Sequence, residues 1–248
     1  FTLPEGVAFT LTTSQLLGDD SDPDGDSLQI TSVGDGATLD QESGTITLDP
    51  LSGNKTISYT VSDGNGGTDT ANIDLAAEPA NQNPVFLIGR DGDGNIQGIE
   101  GRFGEIQTAI NDEEADANDI VAATPGTYDE QITIDKSLTL LGPNAGIAGT
   151  DSGNRGPERA TLLGNGGEDL FSLNSQSSLS IDGVRLDGSQ LEEDDRLVLA
   201  DTGDITIKNS VLENAPNPLG NAYILVRKND VEDATFTFEN NLVQQNFE

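Results

Sequence analysis

Three stretches near the C-terminal end of the chain can be laid over one another. They are Leu179-Ser-Ile-Asp-Gly-Val-Arg-Leu186, Ile205-Thr-Ile-Lys-Asn-Ser-Val-Leu212 and Phe236-Thr-Phe-Glu-Asn-Asn-Leu-Val243. Each holds two apolar residues in alternation, a Gly or Asn two positions later, and then another apolar pair. The step is 26 residues from Ile181 to Ile207 and 31 from Ile207 to Phe238. A further short strand precedes each stretch: Leu170 to Leu173, Leu197 to Leu199 and Tyr223 to Val226. Periods of this length with several short strands predict a solenoid in which each repeat packs only on its neighbours. Three strands per turn, joined by bends where Asn or Gly takes the left-handed conformation, predict a parallel β-helix filled by stacked Ile, Leu, Val and Phe. Loops such as Gly188 to Asp195 and Asn214 to Asn221 take up the uneven spacing.

The first third of the chain has a different texture. Alternating runs of about five residues fall at Val7 to Leu11, Leu28 to Val33, Ala37 to Leu39, Thr45 to Leu48, Thr56 to Val61 and Thr70 to Leu75. Asp/Gly-rich turns separate them, which predicts a small β-sandwich. Ala76-Ala-Glu-Pro-Ala-Asn-Gln-Asn-Pro84 breaks the pattern and reads as a linker. The expected division is a sandwich over 1–86, a linker with a Gly/Asp loop over 87–103, and the β-helix over 104–248. The one helix signal is Phe103 to Glu114, where Ile106, Ala109 and Ile110 share a face.

Composition narrows the chemistry. With 11 Lys+Arg against 44 Asp+Glu, the formal charge is −33, and there is no His, Cys, Met or Trp. Triads that need His, thiol nucleophiles, disulfides and zinc sites of the N/S kind are excluded. So acidic a surface disfavours nucleic acid and anionic membranes and favours hard cations, calcium above all. High-salt solubility is a second account of part of the acid excess. No apolar stretch approaches the roughly 20 residues of a membrane helix. The chain begins at Phe1, with no signal peptide, which is expected of a processed chain or a piece of a longer one.

The densest acid cluster is Asp19, Asp20, Asp22, Asp24 and Asp26, with Gly25 in the turn. Alternating aspartates put several carboxylate oxygens on one side, and a calcium ion takes six to eight oxygens. The competing reading is a solvated turn in which Asp serves geometry. A second candidate is Asp91-Gly-Asp-Gly-Asn-Ile-Gln-Gly-Ile-Glu100. On a twelve-residue calcium loop Asp91, Asp93 and Glu100 would be ligands, but Gly89 stands at the first position and no helix pair flanks it. Here a Gly/Asp bend is the alternative. Asp112 to Asp119 and Glu192 to Asp195 read as surface acids without ligand geometry. Asp182, Asp187, Glu213 and Glu239 lie near the repeat strands, where outward positions are polar because they face water.

Leu3-Pro-Glu-Gly6, Leu16-Leu-Gly-Asp-Asp-Ser-Asp-Pro-Asp-Gly-Asp26, Tyr59-Thr-Val-Ser-Asp-Gly-Asn-Gly-Gly-Thr68 and Asn81-Gln-Asn-Pro-Val-Phe86 together resemble the cadherin-like tandem repeats of bacterial surface proteins. That resemblance implies calcium, with Glu5 and Asp63 as ligands beside Asp20, Asp22, Asp24 and Asp26. Glu105-Ile-Gln-Thr-Ala-Ile110, Ile120-Val-Ala-Ala-Thr-Pro-Gly-Thr-Tyr128 and Gln131-Ile-Thr-Ile-Asp-Lys-Ser-Leu-Thr-Leu-Leu-Gly142 resemble the right-handed parallel β-helix superfamily of the pectin lyases. It implies an amphipathic helix capping the first coil. Fold does not carry activity, and the His residues several of those enzyme families need are absent.

The expectation is therefore an all-β, calcium-binding structural or adhesive module, not an enzyme, of a secreted or cell-surface protein. Its partners would be further copies, neighbouring domains of a longer chain, or surface polysaccharide. The strand pattern runs to Leu242 and Val243, and an open coil leaves an unpaired edge, so assembly into a layer, sheath or fibre is expected. The alternative is a polysaccharide-active β-helix enzyme (lyase, hydrolase or epimerase) with the sandwich as accessory.

Overall fold

The computed structural model describes residues 1–79, 81, 84–151, 155–156, 160–164, 169–173, 177–192, 195–200, 203–214, 224–226 and 235–244, the backbone alone for 224–226. The N-terminal unit has seven strands: β1 (Thr2–Pro4), β2 (Phe9–Thr12), β3 (Gln29–Val33), β4 (Ala37–Asp40), β5 (Thr45–Leu48), β6 (Lys55–Ser62) and β7 (Thr68–Glu78). One sheet runs β1-β7-β6-β3 and the other β2-β5-β4. Each of the six alternating runs forms a strand, and their inward residues, among them Leu11, Ile46, Ile57 and Ile73, are buried together. Between β2 and β3 lies one short helix, α1 (Thr13–Leu16), where Thr12 accepts a 3.1 Å hydrogen bond from Gln15 N at the N-cap.

The stretch expected as a linker over 87–103 is mostly sheet. β8 (Val85–Arg90) and β9 (Ile96–Phe103) make an antiparallel hairpin, and β8 pairs in turn with β10 (Ile120–Ala123). The physical reason is visible in Val85-Phe-Leu-Ile88, whose four residues are all fully buried. Val85 and Leu87 pack inward with Ile132 and Leu140, whereas Phe86 and Ile88 pack outward with the sandwich residues. β10 divides the same way, Val121 and Ala123 inward, Ile120 and Ala122 outward. An unbroken apolar run is what two-sided burial demands of a strand. Of the expected linker over 76–84, the first residues continue β7 to Glu78, and residues 80, 82 and 83 lie outside the described residues. The helix expected over 103–114 is shorter: α2 (Ile106–Ile110) buries Ile106, Ala109 and Ile110 against β8, β9, β10 and β12 (Ile132–Ile134).

From β10 onward the chain cycles through three sheets. The remaining strands are β11 (Gly126–Asp129), β13 (Leu138–Leu141), β14 (Ala160–Leu163), β15 (Phe171–Leu173), β16 (Leu179–Asp182), β17 (Arg185–Asp187), β18 (Val198–Ala200), β19 (Ile205–Lys208), β20 (Val211–Glu213), β21 (Ile224–Val226), β22 (Phe236–Glu239) and β23 (Leu242–Gln244). One sheet stacks β10, β13, β16, β19 and β22; a second β11, β14, β17, β20 and β23; a third β12, β15, β18 and β21. All these pairs are parallel and in register, so that Leu140, Ile181, Ile207 and Phe238 form one file. The corner after β16, β19 and β22 is held by Gly183, Asn209 and Asn240, at φ +74°, +49° and +55°. Asn214 is also left-handed, at φ +52°. The next residue, Asn241, bonds neighbouring backbone through its side chain: it accepts from Ser210 N and donates to the Ile207 carbonyl. The loop expected over 214–221 lies outside the described residues beyond Asn214.

Candidate functional site

The β6–β7 hairpin and the loop between α1 and β3 bring the main aspartates to one end of the sandwich. Asp22 Oδ1 accepts from Asp24 N at 2.8 Å and Asp26 N at 3.2 Å, closing its loop as an Asx turn. Asp63 Oδ1 does the same in the hairpin, accepting from Asn65 N at 2.8 Å and Gly67 N at 2.9 Å. The two loops are tied by Asn65 Nδ2, which donates to Asp26 Oδ2 at 2.7 Å. Asp20, Asp22, Asp63 and Asp69 line one open cleft of about 270 Å³ between them. Asp69 was not anticipated; its place directly after the hairpin turn was the available signal. Among the described residues no three acidic side chains converge as a metal-holding group, and one oxygen each of Asp22 and Asp63 accepts from backbone donors.

Glu5 is elsewhere. Its N–H donates to the Glu78 carbonyl at the far end of β7, whereas Asp63 precedes the start of that strand. Ten residue steps at about 3.3 Å each separate them by roughly the length of the sheet. The structure therefore does not place Glu5 with the other expected ligands.

The Asp91 loop is the turn of the β8–β9 hairpin. Asp91 Oδ1 accepts from Asp93 N and Asn95 N, and Oδ2 from Asn95 Nδ2 and Gln97 Nε2, at 2.8–3.2 Å. Those bonds, the Asn95 backbone first, hold its carboxyl below the usual range. Asp93 is exposed in the same turn. Glu100 lies apart, its carboxylate over Gly89, where a Cβ would meet it at 2.0 Å. Burial, then the charges of Asp119, Glu114 and Asp116, push Glu100 upward. The bend reading accounts for Asp91 fully, since both its oxygens are used within the turn.

Two acids read as surface residues are structural. Asp119 is buried; it accepts from Arg90 N at 2.9 Å and Asp116 N at 2.7 Å, bracing β8 against the start of β10. Glu213 is buried too, paired with Arg185 and accepting from Gln244 Nε2 at 2.7 Å in the next coil. Polar outward positions in a stack thus find partners in adjacent coils rather than water.

Residues 1–78 match the family model of the cadherin-like domain. No curated protein and no solved structure matches the chain. The matched residues span the whole two-sheet unit, from β1 to the end of β7, and include every residue that lines the aspartate cleft. No helix among the described residues is long and apolar enough to cross a membrane.

Proposed function

We infer that this chain is a rigid structural and adhesive module of a secreted or cell-surface protein, a calcium-binding cadherin-like domain fused to a right-handed β-helix whose first coil is closed by α2. The observation that carries this reading is the shared core. Leu3, Ile57 and Ile73 of the sandwich belong to one buried cluster with Phe86, Ile88, Ile120 and Leu141 on the outside of the strand stack. Apolar area buried at about 25 cal/mol per Å² makes such a seam resist bending, which suits a spacer or a load-bearing part. Calcium would sit in the cleft of Asp20, Asp22 and Asp63, with Asp24 and Asp26 in the same loop; the carboxylate oxygens left free there are of the hard-donor kind. The strand stack serves as scaffold rather than catalyst, because Asp182 and Glu213 are spent on neighbours that hold the coils together. Its partners are further copies, adjoining domains, or surface polysaccharide.

Calorimetric titration and thermal melts with calcium or EDTA test the metal part. Saturable uptake should raise stability by about 2.7 kcal/mol at a hundred-fold excess over Kd. Replacing Asp20, Asp22 and Asp63 together by Asn should abolish the uptake. Absence of uptake by the intact chain would refute the calcium reading. Sedimentation velocity with and without calcium checks self-association.

A further inference from the structure

The sequence holds two Asn-Gly pairs, Asn65-Gly66 and Asn165-Gly166, and the second lies outside the described residues. The first forms part of the β6–β7 turn, where both residues are exposed. The pairing matters chemically. A glycine has no Cβ to keep its nitrogen away from the side-chain carbonyl of the residue before it, and its backbone turns freely.

The turn is arranged to allow that approach. Asp63 Oδ1 takes the N–H of Asn65 and the N–H of Gly67, while the N–H of Gly66 between them meets no acceptor among the described residues. Gly64 and Gly66 lie at φ +75° and +112°, and a Cβ added at either would touch nothing within 4 Å. On both sides of Asn65, then, neither a side chain nor packing resists rotation of the backbone.

What the amide holds gives the reaction a consequence. Asn65 Nδ2 donates to Asp26 Oδ2 at 2.7 Å, the bond that ties the turn to the loop between α1 and β3. Only an amide can make it, because a carboxylate accepts hydrogen bonds and donates none.

We propose that Asn65 is a self-modification site whose slow deamidation unties these two loops. The Gly66 nitrogen attacks Cγ of Asn65 and gives up its proton. The Cγ–Nδ2 bond breaks, and Nδ2 leaves with that proton as ammonia. Water then opens the cyclic imide. Attack at Cγ gives aspartate, and attack at the backbone carbonyl gives isoaspartate, with the chain running through Cγ. Either product carries a carboxylate in place of the amide, and two like charges at hydrogen-bond distance repel. The step is one-way, so untied copies accumulate as the protein ages. This site goes beyond the modular role above, and its chemistry needs no metal.

The test is ageing of the intact chain in EDTA at mildly alkaline pH, followed by site-resolved mass spectrometry. Asn65 should lose its amide at least tenfold faster than Asn54 and Asn95, which precede Lys55 and Ile96, and should yield both aspartate and isoaspartate. In EDTA, Asn65→Asp should melt below Asn65→Ala, which loses only the tie, and added salt should narrow that gap. Should Asn65→Asp fail to fold, the aged parent, separated by its extra charge on an anion exchanger, takes its place in the melts. Working in EDTA keeps the outcome apart from the calcium reading, which stands or fails on metal uptake. Amide loss at Asn65 no faster than at Asn54 and Asn95, aspartate as the sole product, or an Asn65→Asp chain that melts with the parent would overturn the proposal.

Discussion

The side-chain amide of Asn209 donates a 2.8 Å hydrogen bond to Oδ1 of Asp182, 27 residues earlier and one coil back in the stack. The same residue turns the corner between β19 and β20 at φ +49°. One side chain thus satisfies a mostly buried carboxylate and occupies a backbone conformation that Asn accepts more readily than most residues. Asn209→Ala loses both and should cost about 2–3 kcal/mol, read from urea denaturation. Asn209→Gly keeps the corner and loses only the bond, so it should fall between the two proteins.

Gly183 holds the same corner one coil earlier, at φ +74°, and a Cβ there would meet the backbone of Asn144 and Ala145 at 1.9–2.2 Å. Backbone cannot swing aside as a long side chain can. Gly183→Ala should therefore be among the most damaging single changes in the chain, beyond about 3 kcal/mol, and should sharply reduce soluble yield. A variant melting within a few degrees of the parent would contradict the close approach.

Glu130 caps α2, accepting from Ile106 N and Gln107 N at 2.8 Å each. Glu130→Ala should cost about 1 kcal/mol, as the loss of a cap does. Burial outweighs those two bonds and lifts its carboxyl above 4.5. The native state then holds this proton more tightly than the unfolded chain. Its share of stability accordingly falls as pH rises from about 4.5 through the raised native value. Glu130→Gln should gain on the parent across that window, measured as the shift in urea midpoint between acid and neutral pH.

Tyr128 donates to the Thr124 carbonyl at 2.7 Å and is pushed up to about 12 by burial. Its contribution is complete below pH 10 and drains away as pH climbs towards 12. Ultraviolet titration should show one phenol ionising late, together with unfolding. Tyr128→Phe should remove that late step and lower stability at neutral pH by about 1 kcal/mol.

Phe86 is fully buried in the seam and lies under the Arg102 guanidinium, 6.0 Å from ring centroid to cation. Phe86→Ala should cost about 3–5 kcal/mol. Calorimetry should also resolve two thermal transitions where the parent shows one, because the cavity opens between the units rather than within either.

Sequence made the periodic parts readable and the two-sided parts obscure. Leu179-Ser-Ile-Asp182 and Ile205-Thr-Ile-Lys208 alternate because one face meets the interior and the other polar neighbours, so their strands and register could be read directly. Val85-Phe-Leu-Ile88 does not alternate, and its burial on both faces hid a hairpin inside a stretch read as linker. The Asp19 to Asp26 loop was legible as a cluster along the chain, since turns of this kind need Asp at fixed spacing, whereas Asp63 was joined to it only through the cadherin-like resemblance. That Glu5 sits at the opposite end follows from β1 pairing parallel to β7, a long-range fact no local pattern carries. Asp119 and Glu213 were misjudged for a related reason: an acid's burial depends on which donors the fold brings to it, not on its neighbours in sequence.

The parallel pairing of β1 with β7 has a mechanical meaning. Thr2, Leu3 and Pro4 lie beside Ala76, Ala77 and Glu78, and the ladder is extended at its ends by Ala76 N to the Phe1 carbonyl and Glu5 N to the Glu78 carbonyl. If the cadherin-like domain is pulled between its first and last strands, the two slide past each other in opposite directions. Every bond of the ladder then bears the tension at once instead of opening one by one, as an antiparallel hairpin peeled from its end would. A tether built from such domains holds until the whole clamp shears.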